Sequence, residues 1–181
     1  DFSLPYTAGN PPLRVSDHDP VRLSIGVVRP LSADLVLTWA TTSMSSRGAF
    51  TTLTVHNTGS SPLSFHAALH TYLEVGDVTQ ATLAGVLPQG EVLSLAEPID
   101  HLFESVPGPF ALRSPASALD MAHEGFTDAV VWNPGPQAVI ADLPAGGYAR
   151  FLCVEAASVG VPVQLAPGAH WQGSQYLVTA A

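Results

Sequence analysis

Proline and glycine interrupt this chain throughout its length, and together they limit what it can fold into. The 181 residues include 16 prolines and 15 glycines, and few stretches between them could hold a long helix. Both residues disfavour helix interiors, proline by losing a backbone donor and glycine by its conformational freedom. The segments between them are short, β-branched and bounded by turn residues, which is typical of an all-β sandwich or barrel.

Eight apolar segments are predicted to form strands. They are Val21 to Val28, Leu35 to Ala40, Phe50 to His56, Leu63 to Val75, Ala129 to Trp132, Ala138 to Ile140, Tyr148 to Ala157 and Trp171 to Thr179. The turn residues from Asn57 to Pro62 predict a hairpin between two of these strands, and Ala116 to Ala122 is predicted to be a short helical turn. With no internal repeat or linker, the pattern indicates one domain over residues 1–181.

Charge and cysteine content exclude several classes of function. The net charge is −9, with no lysine and six scattered arginines. Nucleic acid and anionic membranes are therefore not expected as partners, because both need clustered positive charge. No apolar run approaches the ~18 residues of a membrane span. The N-terminus lacks a secretory signal and Cys153 is the only cysteine, which favours a cytoplasmic location.

Two strands are apolar on both faces, so their polar exceptions are informative. Glu155 interrupts the apolar run from Phe151 to Ala157, and an unpaired buried carboxylate costs several kcal/mol. It is either exposed, paired with an arginine, or a general base whose pKa is tuned by burial. His70 lies in a second such strand and is either a satisfied core residue or a functional one. Cys153, surrounded by apolar residues, is predicted to be an inert core thiol.

Histidine spacing gives no support for a metal site. His66 and His70 share one face of a strand, but four residues of extended chain separate them by about 13 Å. No His-x-His or similar ligand spacing occurs among the other histidines. We therefore predict that the protein binds no metal.

Several blocks resemble those of the glucose-6-phosphate 1-epimerases, in the aldose 1-epimerase (galactose mutarotase-like) superfamily, and they follow the family's order. The blocks are Phe65 to Asp77 (FHAALHTYLEVGD), Glu97 to Phe103 (EPIDHLF), Asp128 to Pro134 (DAVVWNP), Gly147 to Ala156 (GYARFLCVEA) and Leu165 to Gly173 (LAPGAHWQG). The similarity extends from about Val36 to the C-terminus.

The resemblance implies a fold, a reaction and three site residues. The fold would be an antiparallel β-sandwich of the galactose mutarotase-like type. The catalytic histidine and glutamate would be His70 and Glu155, and the sugar-binding aspartate would be Asp100. The reaction would interconvert the anomers of a hexose or hexose 6-phosphate by acid/base ring opening, with no cofactor. The expected partner is a small sugar or sugar phosphate, and the oligomeric state is left open.

The chain also departs from the family pattern. The family's N-terminal section, with its His-Gly-Phe-Ala-Arg motif, is missing, and residues 1–30 have no clear counterpart in the family. Since the chain also lacks an initiator methionine, we expect an N-terminally truncated form. In the family, that section supplies arginines that hold the phosphorylated sugar. Phosphate binding generally needs arginine, lysine or a helix N-terminus. Without those arginines, the specificity for a sugar phosphate is expected to be lost or shifted to free hexose. The alternative to an active mutarotase is a β-sandwich that binds carbohydrate without catalysing a reaction.

Overall fold

A computed structural model describes residues 21–23, 26–27, 36–45, 47–138 and 143–180. Its regular structure is almost entirely strands, joined by turns that include three short 3₁₀ turns. In chain order the strands are β1 Val21–Leu23, β2 Gly26–Val27, β3 Val36–Ser45, β4 Gly48–Asn57, β5 Leu63–Leu69, β6 Thr71–Glu74, β7 Thr82–Ala84, β8 Val92–Ser94, β9 Ile99–Phe103, β10 Phe110–Arg113, β11 Ala118–Glu124, β12 Asp128–Asn133, β13 Phe151–Leu165 and β14 His170–Thr179.

These strands form two antiparallel sheets, which confirms the predicted all-β antiparallel sandwich. The first sheet has the order β1-β6-β13-β12-β9, with β5 pairing both β13 and β2. The second sheet has the order β3-β4-β14-β11-β10-β7-β8. Among the residues that the structure describes, no helix is long and apolar enough to cross a membrane.

Alternate side chains of the two sheets pack against each other to form the core. Leu73, Val131 and Leu152 of the first sheet share a buried apolar cluster with Leu112 and Leu177 of the second. Each such leucine is 2% exposed or less, and its burial is worth roughly 1.5–3 kcal/mol. Because strand side chains alternate, the residues between these core positions point away from the second sheet. We call that side of the first sheet its outer face.

Strand β13 organises the first sheet and sets the geometry of the outer face. It pairs with β12 along one edge, and along the other it pairs first with β6 and then with β5. Cys153 is opposite Tyr72, and Ala156 is opposite Leu69. These pairs belong to one continuous register, so β5 and β6 act as a single strand interrupted at His70.

Two predictions about local structure are wrong. The segment Ala116 to Ala122 is largely strand β11, because Leu119, Met121 and His123 alternate into the core with a period of two residues. The turn after Asn57 does not close a hairpin, because β4 belongs to the second sheet and β5 to the first.

The turn itself is present and is held by Asn57. Its carboxamide oxygen accepts from the Gly59 backbone N–H, and its nitrogen donates to the carbonyls of Ser61 and Leu165. Those contacts let the chain cross from one sheet to the other with Asn57 fully buried.

The other predicted strands differ in extent from those observed. The segment Val21 to Val28 contains two short strands, β1 and β2. The predicted strand Ala138 to Ile140 lies, beyond its first residue, outside the described residues. Strands β7 to β10 were not predicted. They are only three to five residues long, too short to show a clear alternation.

Candidate active site

The structure brings His70 and Glu155 together on the outer face of the first sheet. Continuing the register of β13 with β5 and β6 places His70 directly opposite Glu155. Nδ1 of His70 lies 3.0 Å from Oε1 of Glu155. Two residues that are 85 positions apart in the sequence are thus neighbours because of strand pairing.

The pair is partly shielded from water. The Glu155 side chain is 11% exposed and that of His70 is 35% exposed. Nδ1 of His70 is itself buried. Although it lies 3.0 Å from Glu155, its geometry does not make a hydrogen bond with any partner among the described residues. The exposed part of the imidazole is therefore its other side, which includes Nε2. His70 and Glu155 are therefore in contact without a hydrogen bond between them, and both remain able to form a hydrogen bond with a ligand.

Aromatic rings surround the pair. Tyr72 stacks on His70 with ring centroids 4.8 Å apart, and Trp132 meets His70 edge-on at 5.5 Å. Phe151 packs against both Tyr72 and Trp132. These side chains occupy alternate positions on β6, β12 and β13, so they share the outer face. A rigid, largely apolar surface with a few polar groups is typical of a small-molecule site.

Cys153 lies on the same face, two residues before Glu155. Its sulfur, a ring nitrogen of His70 and a carboxylate oxygen of Glu155 lie within 4.8 Å of one another. These three donors are of types that bind metals, but a thiol must lose its proton to do so. Burial, and to a lesser degree the Glu155 carboxylate, raise the pKa of Cys153 well above its ordinary value. The predicted burial of Cys153 is confirmed, and its inertness stays a prediction.

Neither Arg113 nor Arg150 neutralises Glu155. Arg150, its nearest basic residue in the sequence, donates to Glu74 at 2.6 Å. Arg113 donates to Asp120 at 2.6 Å. A basic side chain that does lie within 4.0 Å of Glu155 is that of His70. Of the sequence-based alternatives for Glu155, exposure therefore loses support, as does pairing with Arg113 or Arg150, and a role as general base stays a prediction.

Asp100 lies on the outer face but farther from the pair. It is in β9, opposite Trp132, which in turn is opposite Cys153. Asp100 therefore lies two strand spacings from β13, or roughly 10 Å. Its exposed side chain stands at the edge of the aromatic surface, where it is free to bind a hydroxyl group.

Sequence reasoning missed several residues of the site. Tyr72 and Trp132 stood inside blocks noted for their resemblance, but no role was inferred for them. Alternation was the available signal, because Tyr72 is two residues from His70 and Cys153 is two residues from Glu155. Gln175 lies in a segment that was predicted to be a strand, but no role was inferred for this residue.

Comparison with known proteins is consistent with this geometry. No family model matches the chain. A protein of Cenchrus ciliaris named putative glucose-6-phosphate 1-epimerase is 29% identical over 136 residues, which are 65% of this chain and 41% of that protein. A protein of the same name from Escherichia coli is 28% identical over 110 residues, 50% of this chain and 37% of that one. The chain thus matches about two fifths of the length of these curated relatives.

Solved structures show the same fold. A putative mutarotase from Salmonella typhimurium superposes with a TM-score of 0.62 at 19% identity, covering 88% of this chain and 65% of that one. A putative aldose 1-epimerase from Escherichia coli gives 0.62 at 19% identity, covering 92% and 67%. The chain therefore shares the β-sandwich fold of these two solved proteins and is related in sequence to proteins named putative glucose-6-phosphate 1-epimerase.

Proposed function

We propose that this chain carries the acid/base centre of an aldose 1-epimerase, which interconverts the α and β anomers of a hexose or hexose 6-phosphate. The observation that carries the proposal is the contact of His70 with Glu155 on the partly exposed outer face. The names of the relatives support the same general reaction. His70 and Glu155 are proposed as the catalytic residues, and Asp100 as a sugar-binding residue.

Anomer exchange needs an acid and a base side by side. In a pyranose the C1 hydroxyl oxygen and the ring oxygen are bonded to the same carbon. Glu155 as a carboxylate accepts the proton of the C1 hydroxyl, while protonated His70 donates to the ring oxygen through Nε2. The C1–ring oxygen bond breaks, and the open-chain aldehyde forms. Rotation about C1–C2, followed by reclosure with both transfers reversed, gives the other anomer.

The surroundings of the pair suit this chemistry. Positioned proton transfers typically contribute about 10²–10⁴-fold each, and they are most effective where water is limited. Glu155 is nearly buried and His70 stacks on Tyr72, so both groups are held in place. Tyr72 and Trp132 offer apolar faces for the sugar ring, and Asp100 offers a carboxylate for its hydroxyl groups. Ring opening and reclosure need only proton transfers from the protein, so these residues supply the chemistry themselves.

The phosphorylated or free state of the sugar is the finer part of the proposal. The relatives are named for glucose 6-phosphate. Two arginines of the described part, Arg113 and Arg150, are engaged with carboxylates. Arg22 occupies the register position opposite Tyr72 in the β1–β6 pair, so the strand beside β6 carries a basic residue. We propose hexose 6-phosphate as the substrate, with free hexose as a slower one.

Magnetisation-exchange NMR tests both parts directly. The rate of α/β interconversion is measured for glucose 6-phosphate and for glucose, with and without protein, and the spontaneous rate is subtracted. Acceleration of both sugars, with a higher kcat/KM for the phosphate, is the expected result. Binding of either sugar without acceleration would refute an enzyme and identify a carbohydrate-binding domain instead. A higher kcat/KM for glucose would refute the phosphate preference alone.

A further inference from the structure

Gln175 is a buried amide that reaches from the second sheet into the first. It lies in the middle of β14 and is 1% exposed. Its Oε1 accepts from the Thr71 hydroxyl at 2.5 Å, and its Nε2 donates to the Val154 carbonyl at 2.9 Å and contacts Nε2 of His123 at 3.2 Å. The oxygen and the nitrogen of this amide therefore both have hydrogen-bond partners.

The two residues that Gln175 holds in the first sheet lie directly beside the acid/base pair. Thr71 follows His70 in the chain, and Val154 precedes Glu155. Thr71 and Val154 are opposite each other in the same register that places His70 opposite Glu155. One amide thus spans a cross-strand pair whose neighbours, on the other side of the sheet, are the two proposed catalytic side chains.

The ladder between β13 and its neighbours is interrupted at this point. Pairing with β6 ends at Cys153 and pairing with β5 begins at Ala156. Gln175 supplies a link across the gap, between the Thr71 hydroxyl and the Val154 carbonyl. The Thr71 hydroxyl lies 3.3 Å from the Leu69 carbonyl, so it also contacts the residue on the other side of His70.

We propose that Gln175 is a positioning residue, which fixes the spacing of His70 and Glu155 by holding Thr71 and Val154 at the interrupted ladder. It acts through the backbone and touches neither catalytic group nor the sugar. The inference rests on the proposed function for its kinetic test but not for its spectroscopic one. Misplacement of reacting groups by about 1 Å can cost 10²-fold in rate, so the loss of this link has a measurable effect.

Two isosteric substitutions test the link from its two ends. Gln175→Met removes every hydrogen bond of the amide and keeps the length of the side chain. Thr71→Val removes only the hydroxyl, while Thr71→Ser keeps it. Thr52→Val is the matched control. Thr52 lies in β4, the strand next to that of Gln175. The substitution breaks the buried hydrogen bond of 3.1 Å between Thr52 and Ser174, and it does not touch the acid/base pair.

The kinetic test separates positioning from stability. At a temperature where all variants are folded, Gln175→Met and Thr71→Val are expected to lower kcat about 10- to 100-fold with little change in KM. They are also expected to alter the pH profile of kcat, which a loss of stability alone leaves unchanged. Thr71→Ser restores most of the rate, and Thr52→Val keeps that of the original protein. A kcat for Gln175→Met and Thr71→Val within twofold of the control overturns the proposal.

A spectroscopic test needs no activity. The rings of Tyr72 and Trp132 lie 4.8 and 5.5 Å from that of His70, so their ring currents make the Cε1–H signal of His70 sensitive to its position. We expect this signal to move in Gln175→Met and Thr71→Val but not in Thr52→Val. An unmoved signal overturns the proposal. A moved signal in a protein without mutarotase activity supports the positioning role and counts against the proposed function alone.

Discussion

Nδ1 of His70 meets Oε1 of Glu155 at 3.0 Å because the two residues are opposite each other in one antiparallel register. No loop is needed to bring them together. The sheet itself presents both side chains on its outer face, and the same register places Thr71 opposite Val154 on the inner side. The first prediction concerns this pair.

Removing either member of the pair should abolish most of the rate. We expect His70→Ala and Glu155→Gln each to lower kcat for anomer exchange by at least about a hundredfold, because each removes one positioned proton transfer. Exchange NMR on glucose 6-phosphate and glucose measures the effect. His101→Ala and Glu124→Gln, at exposed positions elsewhere, serve as controls and should keep the rate. A near-normal rate in either variant of the pair removes that residue from the mechanism.

Asp100 should contribute to binding more than to chemistry. Its carboxylate lies two strands from Glu155, too far to exchange a proton with C1 directly. A hydrogen bond to a charged group is worth about 1.5–3 kcal/mol, so Asp100→Ala should raise KM roughly 10- to 100-fold with kcat nearly unchanged. Asp120→Ala, which removes another exposed carboxylate, is the control. A fall in kcat with no change in KM would instead give Asp100 a role in the transition state.

Cys153 should resist modification in the folded protein. The residue is 0% exposed, and its raised pKa keeps the thiol protonated. We expect a thiol-specific disulfide reagent to leave the native protein unmodified at pH 8 and to react at once after unfolding in urea. Fast reaction of the native protein, with a rate that sugar slows, would show instead that the thiol opens into the site.

The stability of the protein should fall as the pH drops below neutrality, through His123. Burial lowers the pKa of His123 from 6.5 to about 4, and its Nε2 contacts the Gln175 amide. The unfolded chain takes up this proton below pH 6.5, whereas the folded protein does so only near pH 4. Stability is therefore lost through that window, by about 2 kcal/mol between pH 7 and pH 5.

Urea unfolding at the two pH values measures this loss. His123→Gln has no titrating ring, and we expect its free energy of unfolding to vary less with pH than that of the original protein. The surface variant His101→Gln should follow the original protein. Equal pH dependence in His123→Gln and the original protein would contradict a neutral buried His123.

The sequence was sufficient to single out the two polar positions of the outer face. Glu155 was a lone acid in an apolar strand and His70 a lone base in another, and both proved to be partners. Sequence could not reveal their contact, because contact depends on which strand pairs with which and in what register. The same limit explains the wrong hairpin, since the residues from Asn57 to Pro62 fix a turn but not the sheet that the chain enters next.

Contacts between the two sheets were even harder to predict from the sequence. Gln175 lies 104 residues from Thr71 and touches it only because two sheets pack face to face. A buried glutamine in an apolar strand indicates a partner but does not name one. Side chains alternate in both β14 and β11. In β14 this alternation buries Gln175, and in β11 it buries Leu119 and Met121, where a helical turn had been expected.

The interrupted strand formed by β5 and β6 has a consequence for how such a chain tolerates change. Inserting or deleting one residue between Leu69 and Thr71 would turn every later side chain of β6 to the opposite side. Thr71 and Leu73 would then face outward, and Tyr72 would point into the core. Length variation should therefore accumulate in the turns at the sheet ends, while the few positions around His70 admit substitution but not insertion. A library built on this scaffold should therefore vary loop lengths and keep the length of the chain around His70, which preserves its position opposite Glu155.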